Sequence, residues 1–365
     1  MLPFMLTLRR LLLPLCCAAL GVPAIAGDNV LPDASTEAPL PALGASPSGW
    51  TASGTGAGGF MAVQFQVALS DKVRGVGVQG GGAFNCAGGS ARSAALTCTC
   101  PVGGDTGFAP LGLMSGIDPA HCMVMPPAVM ARRSLDSLHA LSPHIQARRP
   151  VRQVRVWLHS YAEDATFAPA GLDSVARFYR GRGTSASHIQ RITTSAPAIG
   201  SRWQGDMLRW LHPAASPQVS VHPLAPRPEG LRAFDQRPFH PMENGHGLAD
   251  AGLIYVPAAC EPASRPGAAC RVHVHFHGCA LEAPDPRGLR SLHAWAESLR
   301  IVVLHPRAAA EPTRNPGACW DFWGASTPPP TGGNLLLAPA YARADAPQIG
   351  AVHDMLDAVT RPAPR

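Results

Sequence analysis

The chain has 365 residues, 46% of them hydrophobic, which is enough for a large core and for one α/β domain of that size. Its 37 glycines and 38 prolines are too dispersed for a repeat or a low-complexity array. The net charge of +6 comes from scattered arginines and short doublets such as Arg132-Arg133, the pattern of a solvated surface and not of a nucleic-acid footprint.

In chain order, residues 1–26 read as a secretory signal. Arg9 and Arg10 supply the charge, residues 11–20 the apolar stretch, and Ala24-Ile25-Ala26 a small-residue cleavage site. The apolar stretch is short for a membrane span and no later segment is long enough, so an exported protein without membrane association is expected. Eight of the ten cysteines remain after that signal, and an even number in an exported chain argues for disulfides. No C-x-x-C pair favours zinc instead. Residues 27–48 form an extended lead-in, and 49–365 read as a single α/β domain.

Ser53-Gly54-Thr55-Gly56-Ala57-Gly58-Gly59-Phe60 has the glycines of a nucleophile elbow, the sharp strand-to-helix turn that presents a catalytic serine. Its central position is Gly56, which has no side chain to attack an ester. Phe60, Val63 and Val67 then recur at helical spacing. Residues 73–78 read as a short strand, and 83–125 as loop held by disulfides. Alternation over 154–158 gives a strand leading to Asp164, and Pro169 opens a helix. The stretch 181–250 reads as a lid or cap with one helix near 202–211. Strands at 252–257, 271–276 and 301–304 and helices at 289–299 and 348–359 complete an alternation that implies a mostly parallel sheet.

Three pieces of a hydrolase site emerge from these elements. The elbow is the first. Asp164 follows a strand, where an acid can orient a histidine. His277-Gly278-Cys279 also follows a strand, as an oxyanion loop does, although such loops ordinarily precede the nucleophile and a circular permutation is needed to explain the order. His273, His275 and His277 share one strand face, which offers a metal-binding alternative; packing and the oxyanion loop are the plainer account, and no metal is expected. Trp320 and Trp323, in an aromatic-rich run over 315–324, suit either an apolar ligand or the core.

These motifs resemble the secreted poly(3-hydroxybutyrate) depolymerases with a circularly permuted α/β-hydrolase fold. The resemblance runs through Leu40-Pro41-Ala42-Leu43 into the elbow, Tyr255 to Cys260, Cys270 to Cys279, and the Cys319-Trp320-Asp321-Phe322-Trp323-Gly324 block, and is weakest over 181–235. It implies that the family's nucleophilic serine falls on Gly56, its triad acid on Asp164, and its histidine on Pro197. The backbone N–H groups of Ala57 and Cys279 would be the oxyanion donors. The expected partner is a polyester or hydroxyalkanoate oligomer, without an organic cofactor. Two functions follow: a catalytically impaired or non-catalytic polyester binder, or an esterase that uses a relocated serine such as Ser53 with His188 or His246 as base.

Overall fold

The computed structural model describes residues 38–99, 125–145, 151–162, 169–195, 203–213, 222–241, 245–262, 269–279, 286–326 and 340–363. In chain order these form β1 (Trp50–Thr55), α1 (Ala57–Ala68), β2 (Val73–Gln79), α2 (Pro127–Leu141), β3 (Arg155–Tyr161), α3 (Pro169–Gly181), β4 (Ile189–Thr194), α4 (Trp203–Leu211), β5 (Leu231–Asp235), β6 (Ala251–Tyr255), β7 (Arg271–Phe276), α5 (Pro286–Leu299), β8 (Ile301–His305) and α6 (Pro347–Thr360). The strands make one eight-stranded sheet in the order β4-β3-β2-β1-β7-β8-β6-β5. β6 runs antiparallel to both its neighbours, and the other pairs are parallel. This is a mixed-sheet α/β-hydrolase-like fold. Among the described residues its central strand comes first, and that strand's partner β7 comes after five others, as a permuted order requires.

Alternation along the strands divides the apolar residues between two cores. Val156, Leu158, Val272, Val274, Val302 and Leu304 face α1, α3 and α6. Trp157, Ile301 and Val303 face α4 and α5 through Met207, Leu208, Leu211, Leu292 and Trp295. All twelve residues of α1 are buried, as expected of a helix that is apolar all round and lies in the centre of the protein. Its two glutamines are satisfied there. Gln64 donates to the Asp321 carbonyl at 3.0 Å, and Gln66 donates to the Val73 carbonyl and accepts from the Tyr179 hydroxyl.

Three disulfides, Cys86–Cys98, Cys260–Cys270 and Cys279–Cys319, hold the connections; Cys100 and Cys122 lie outside the described residues. Two readings of the sequence change. The stretch from 83 begins as turns but becomes helical over Ala91–Thr99, where Ser90 caps the first turn by accepting from the Ser93 N–H. The stretch 181–250 supplies both edge strands of the sheet, β4 and β5, as well as α4.

Phe65 lies toward the C-terminal end of α1 with its ring edge-on to Phe276 of β7, 5.5 Å between centroids. Truncating Phe65 to alanine is expected to cost about 3–5 kcal/mol in urea unfolding, whereas Val129→Ala on the exposed side of α2 should change stability by less than about 0.5 kcal/mol.

Candidate functional site

The sharp turn between β1 and α1 is made by one residue. Gly56 has φ 60° and ψ −120°, and it caps α1 with no side-chain hydrogen bond. Any side chain there would carry backbone strain, whereas glycine adopts the conformation freely. Its N–H donates to the Gln79 carbonyl at 3.0 Å, and its own carbonyl accepts from Gly59 and Phe60, which starts the helix.

The flanking glycines let three backbones touch. A Cβ on Gly54 would lie 2.1 Å from the Gly58 carbonyl oxygen, and one on Gly58 would lie 2.2 Å from that of Phe276 and 2.4 Å from that of His277. The first turn of α1, which carries Ala57, is thereby pressed against the end of β7, from which His277-Gly278-Cys279 departs.

His277 fixes the geometry of that departure. Its Nε2 accepts from the Ala308 N–H at 3.0 Å, so the ring proton resides on Nδ1 and is donated to the Gly278 carbonyl at 2.7 Å. That carbonyl belongs to the same peptide unit as the Cys279 N–H, so orienting one orients the other. Burial first, and then the Arg307 charge, push the His277 pKa down to about 4, outweighing the Gly278 hydrogen bond that raises it. The ring is therefore neutral at ordinary pH. Because both of its nitrogens are used by the backbone, His277 is not free to join His273 and His275 on a metal.

Cys279 is then tied to Cys319, at the start of the aromatic run. Here the buried Asp321 carboxylate accepts from the N–H groups of Trp323, Gly324, Ala325 and Ser326 and from the Ser326 hydroxyl, at 2.6–3.1 Å. Phe322 stacks on Phe60 of α1 at 4.3 Å. Trp320 is fully buried against Phe276 and His277, and Trp323 is 4% exposed beside Phe322. Both indoles belong to the core.

Asp164 and Pro197 lie outside the described residues. The strands that lead to them, β3 and β4, end side by side with Tyr161 opposite Thr194. His159, just before that end, stacks on Trp203 at 4.9 Å and shares a hydrogen bond with Thr194. Ser53 sits within β1, 2% exposed, between His273 Nε2 at 2.7 Å and His275 Nδ1 at 2.8 Å. The histidines proposed for it are engaged elsewhere: His188 faces the Arg152 carbonyl and His246 accepts from the Leu248 N–H. The Ser53–histidine contacts depend on which strand pairs with β1, and only the Thr51-x-Ser53 and His273-x-His275 alternations hinted at them. Among the described residues, one other group has metal-ligand spacing, His353, Asp354 and Asp357, and the Lys72 ammonium already sits 2.7 Å from His353 Nε2 and 3.0 Å from Asp357.

No protein-family model matches the chain. It is 26% identical over 348 residues to a poly(3-hydroxybutyrate) depolymerase of Delftia acidovorans, covering 88% of this chain and 61% of that protein. It is 24% identical over 324 residues to a polyhydroxybutyrate depolymerase of Talaromyces funiculosus, covering 82% of this chain and 89% of that one. The chain is a relative of the poly(3-hydroxybutyrate) depolymerases. The crystal structure of the Penicillium funiculosum PHB depolymerase superposes with a TM-score of 0.59 at 19% identity, over 88% of this chain and 98% of that one. A serine-to-alanine PHB depolymerase complexed with an R3HB trimer superposes at 0.58 and 20% identity, with the same coverage of both chains. Both share the depolymerase fold with this chain.

Replacing Asp321 by alanine would leave five donors, four of them buried, without their acceptor. The expected loss is at least about 3 kcal/mol, read as a lower urea midpoint with an unchanged slope.

Proposed function

We propose that this chain is an exported relative of the polyester hydrolases that recognises hydroxyalkanoate chains but does not cleave them as a serine hydrolase does. The reading is carried by Gly56: at the elbow between β1 and α1, where the resemblance puts the nucleophile, there is a backbone turn and no hydroxyl. With Pro197 at the histidine position, the chain would lack both the nucleophile and the base, keeping Asp164 and the N–H groups of Ala57 and Cys279. Loss of the nucleophile or the base alone costs a serine protease about a millionfold in turnover, and a residual acceleration of about a thousandfold over water comes from the oxyanion hole and binding. What remains suits binding an ester carbonyl, not turning it over. The R3HB trimer complexed with a structural neighbour supports a polyester oligomer as the ligand class. The signal-like residues 1–26 and the three disulfides support export.

A second reading rests on Ser53, whose hydroxyl has an imidazole nitrogen within 2.8 Å on either side. Such contacts are what a base-activated serine needs. Against it stands the burial of Ser53 inside the sheet, at 2% exposure, where no polymer reaches it.

A fluorophosphonate probe applied to the folded protein, with mass-spectrometric mapping of any adduct, separates the two readings. The expected result is no adduct, together with co-sedimentation on polyhydroxybutyrate granules. An adduct on Ser53 would establish the second reading, one on any other serine would reveal an unforeseen nucleophile, and failure to bind granules would remove the polyester assignment.

A further inference from the structure

The sheet face beneath α4 and α5 carries a polar assembly that neither the elbow nor the oxyanion peptide uses. β1 and β7 run side by side with Thr51 opposite His273 and Ser53 opposite His275. Four short hydrogen bonds join them in one line: His212 Nε2 to Thr51 Oγ1 at 2.6 Å, Thr51 Oγ1 to His273 Nδ1 at 2.7 Å, His273 Nε2 to Ser53 Oγ at 2.7 Å, and Ser53 Oγ to His275 Nδ1 at 2.8 Å. The His275 ring lies 5.7 Å from that of His305, whose Nε2 is 2.8 Å from Nε2 of His293 on α5. His212 closes the end of α4. The assembly therefore spans the sheet, α4 and α5.

Proton counting shows what this line tolerates. Each hydroxyl has one proton and stands between two ring nitrogens, and each neutral imidazole carries one N–H. All four hydrogen bonds are satisfied with every ring neutral and the donors pointing the same way along the line. Charging more than one ring leaves a hydroxyl proton without an acceptor in the line, and no carboxylate is hydrogen-bonded to any of these rings among the described residues.

The charged groups around it discourage cations further. From β7, Arg271 holds the carbonyls of His212 and Leu299. From β3, Arg155 lies over Trp210, and from α4, Arg209 pairs with Asp206 above Trp295. From α5, Glu297 is committed to the Tyr255 hydroxyl and the Ala258 N–H, while Arg307 lies beyond His277. β1 and β2 present no charge, only Thr51, Ser53, Gly75 and Gly77.

We propose that this imidazole–hydroxyl assembly is an acid-operated latch: it clamps α4 and α5 to the sheet while its five histidines are neutral, and releases that layer when they take up protons. Burial is the chief cause that holds the rings neutral. It lowers the pKa of His212 and His293 to about 3 and that of His275 to about 4, and it lowers His273 and His305 well below the ordinary range, with neighbouring imidazoles or Arg271 adding to the effect. In the unfolded chain each ring returns to about 6.5. The latch is therefore fully closed above about pH 6.5 and weakens as pH falls toward the folded values.

Urea unfolding of the intact protein, followed by tryptophan fluorescence between pH 7.5 and 5.5, tests this above the main carboxylate range. Each ring held neutral only in the fold raises the unfolding constant about tenfold across that window, and His159 and His277, outside the latch, contribute such steps as well, so at least about a thousandfold is expected and the latch's share is read from its variants. His139→Gln, on an exposed part of α2, should leave the dependence intact, and His273→Leu should remove about one tenfold step. Should His273→Leu not fold, ring C2-hydrogen exchange of the unaltered protein decides, with no inflection near pH 6.5 expected at His273, His293 or His305. Amide exchange at pH 5.5 should show α4 and α5 losing protection before α1. A change of less than about tenfold across the window, an inflection near 6.5 in the buried rings, or simultaneous loss of protection in all three helices would overturn the latch.

Discussion

Backbone contact at the junction of β1, α1 and β7 is the constraint from which the rest of the site follows. The carbonyls of Phe276 and His277 lie where a Cβ on Gly58 would have to be, and the Gly58 carbonyl lies where one on Gly54 would be. Only glycine permits this approach. It sets the first turn of α1 against the peptides that leave β7, so two chain segments separated by about 220 residues form one corner. The positive φ of Gly56 completes the turn.

Around that corner the protein spends polar interactions on rigidity. His277 is held in one tautomer by two backbone partners, Cys279 is covalently tied to Cys319, and Asp321 gathers a turn of N–H groups beneath α1. These devices orient peptides and do not require a serine side chain. A scaffold of this kind does not depend on a hydroxyl at position 56 for its stability.

The two faces of the sheet solve burial differently. The α1 face is packed with aliphatic and aromatic side chains, and the glutamines of α1 bond to backbone carbonyls and to the Tyr179 hydroxyl. The α4–α5 face mixes tryptophans with imidazoles and hydroxyls that satisfy one another. Apolar packing is indifferent to pH, whereas a line of neutral imidazoles is not. The hydrogen-bonded imidazoles are thus concentrated on one side of the sheet.

Most of the elements, though not α2, were legible from periodicity and punctuation. Alternation found β3 and β7, Pro169 and Pro347 stand at the first positions of α3 and α6, and the glycines around Gly56 marked the turn. β4 and β5 were not legible, because as edge strands they bury fewer side chains and lack a continuous apolar run. The sequence by itself determined that position 56 is a glycine without a side chain and that the cysteines are even in number, since both are matters of residue identity. Only the tertiary structure decided that Trp320 and Trp323 are core, that His277 serves the backbone, and that Ser53 meets His273 and His275. The reason is that each of these depends on which strands lie side by side and on which face their side chains emerge, and pairing between distant segments is not written in local periodicity.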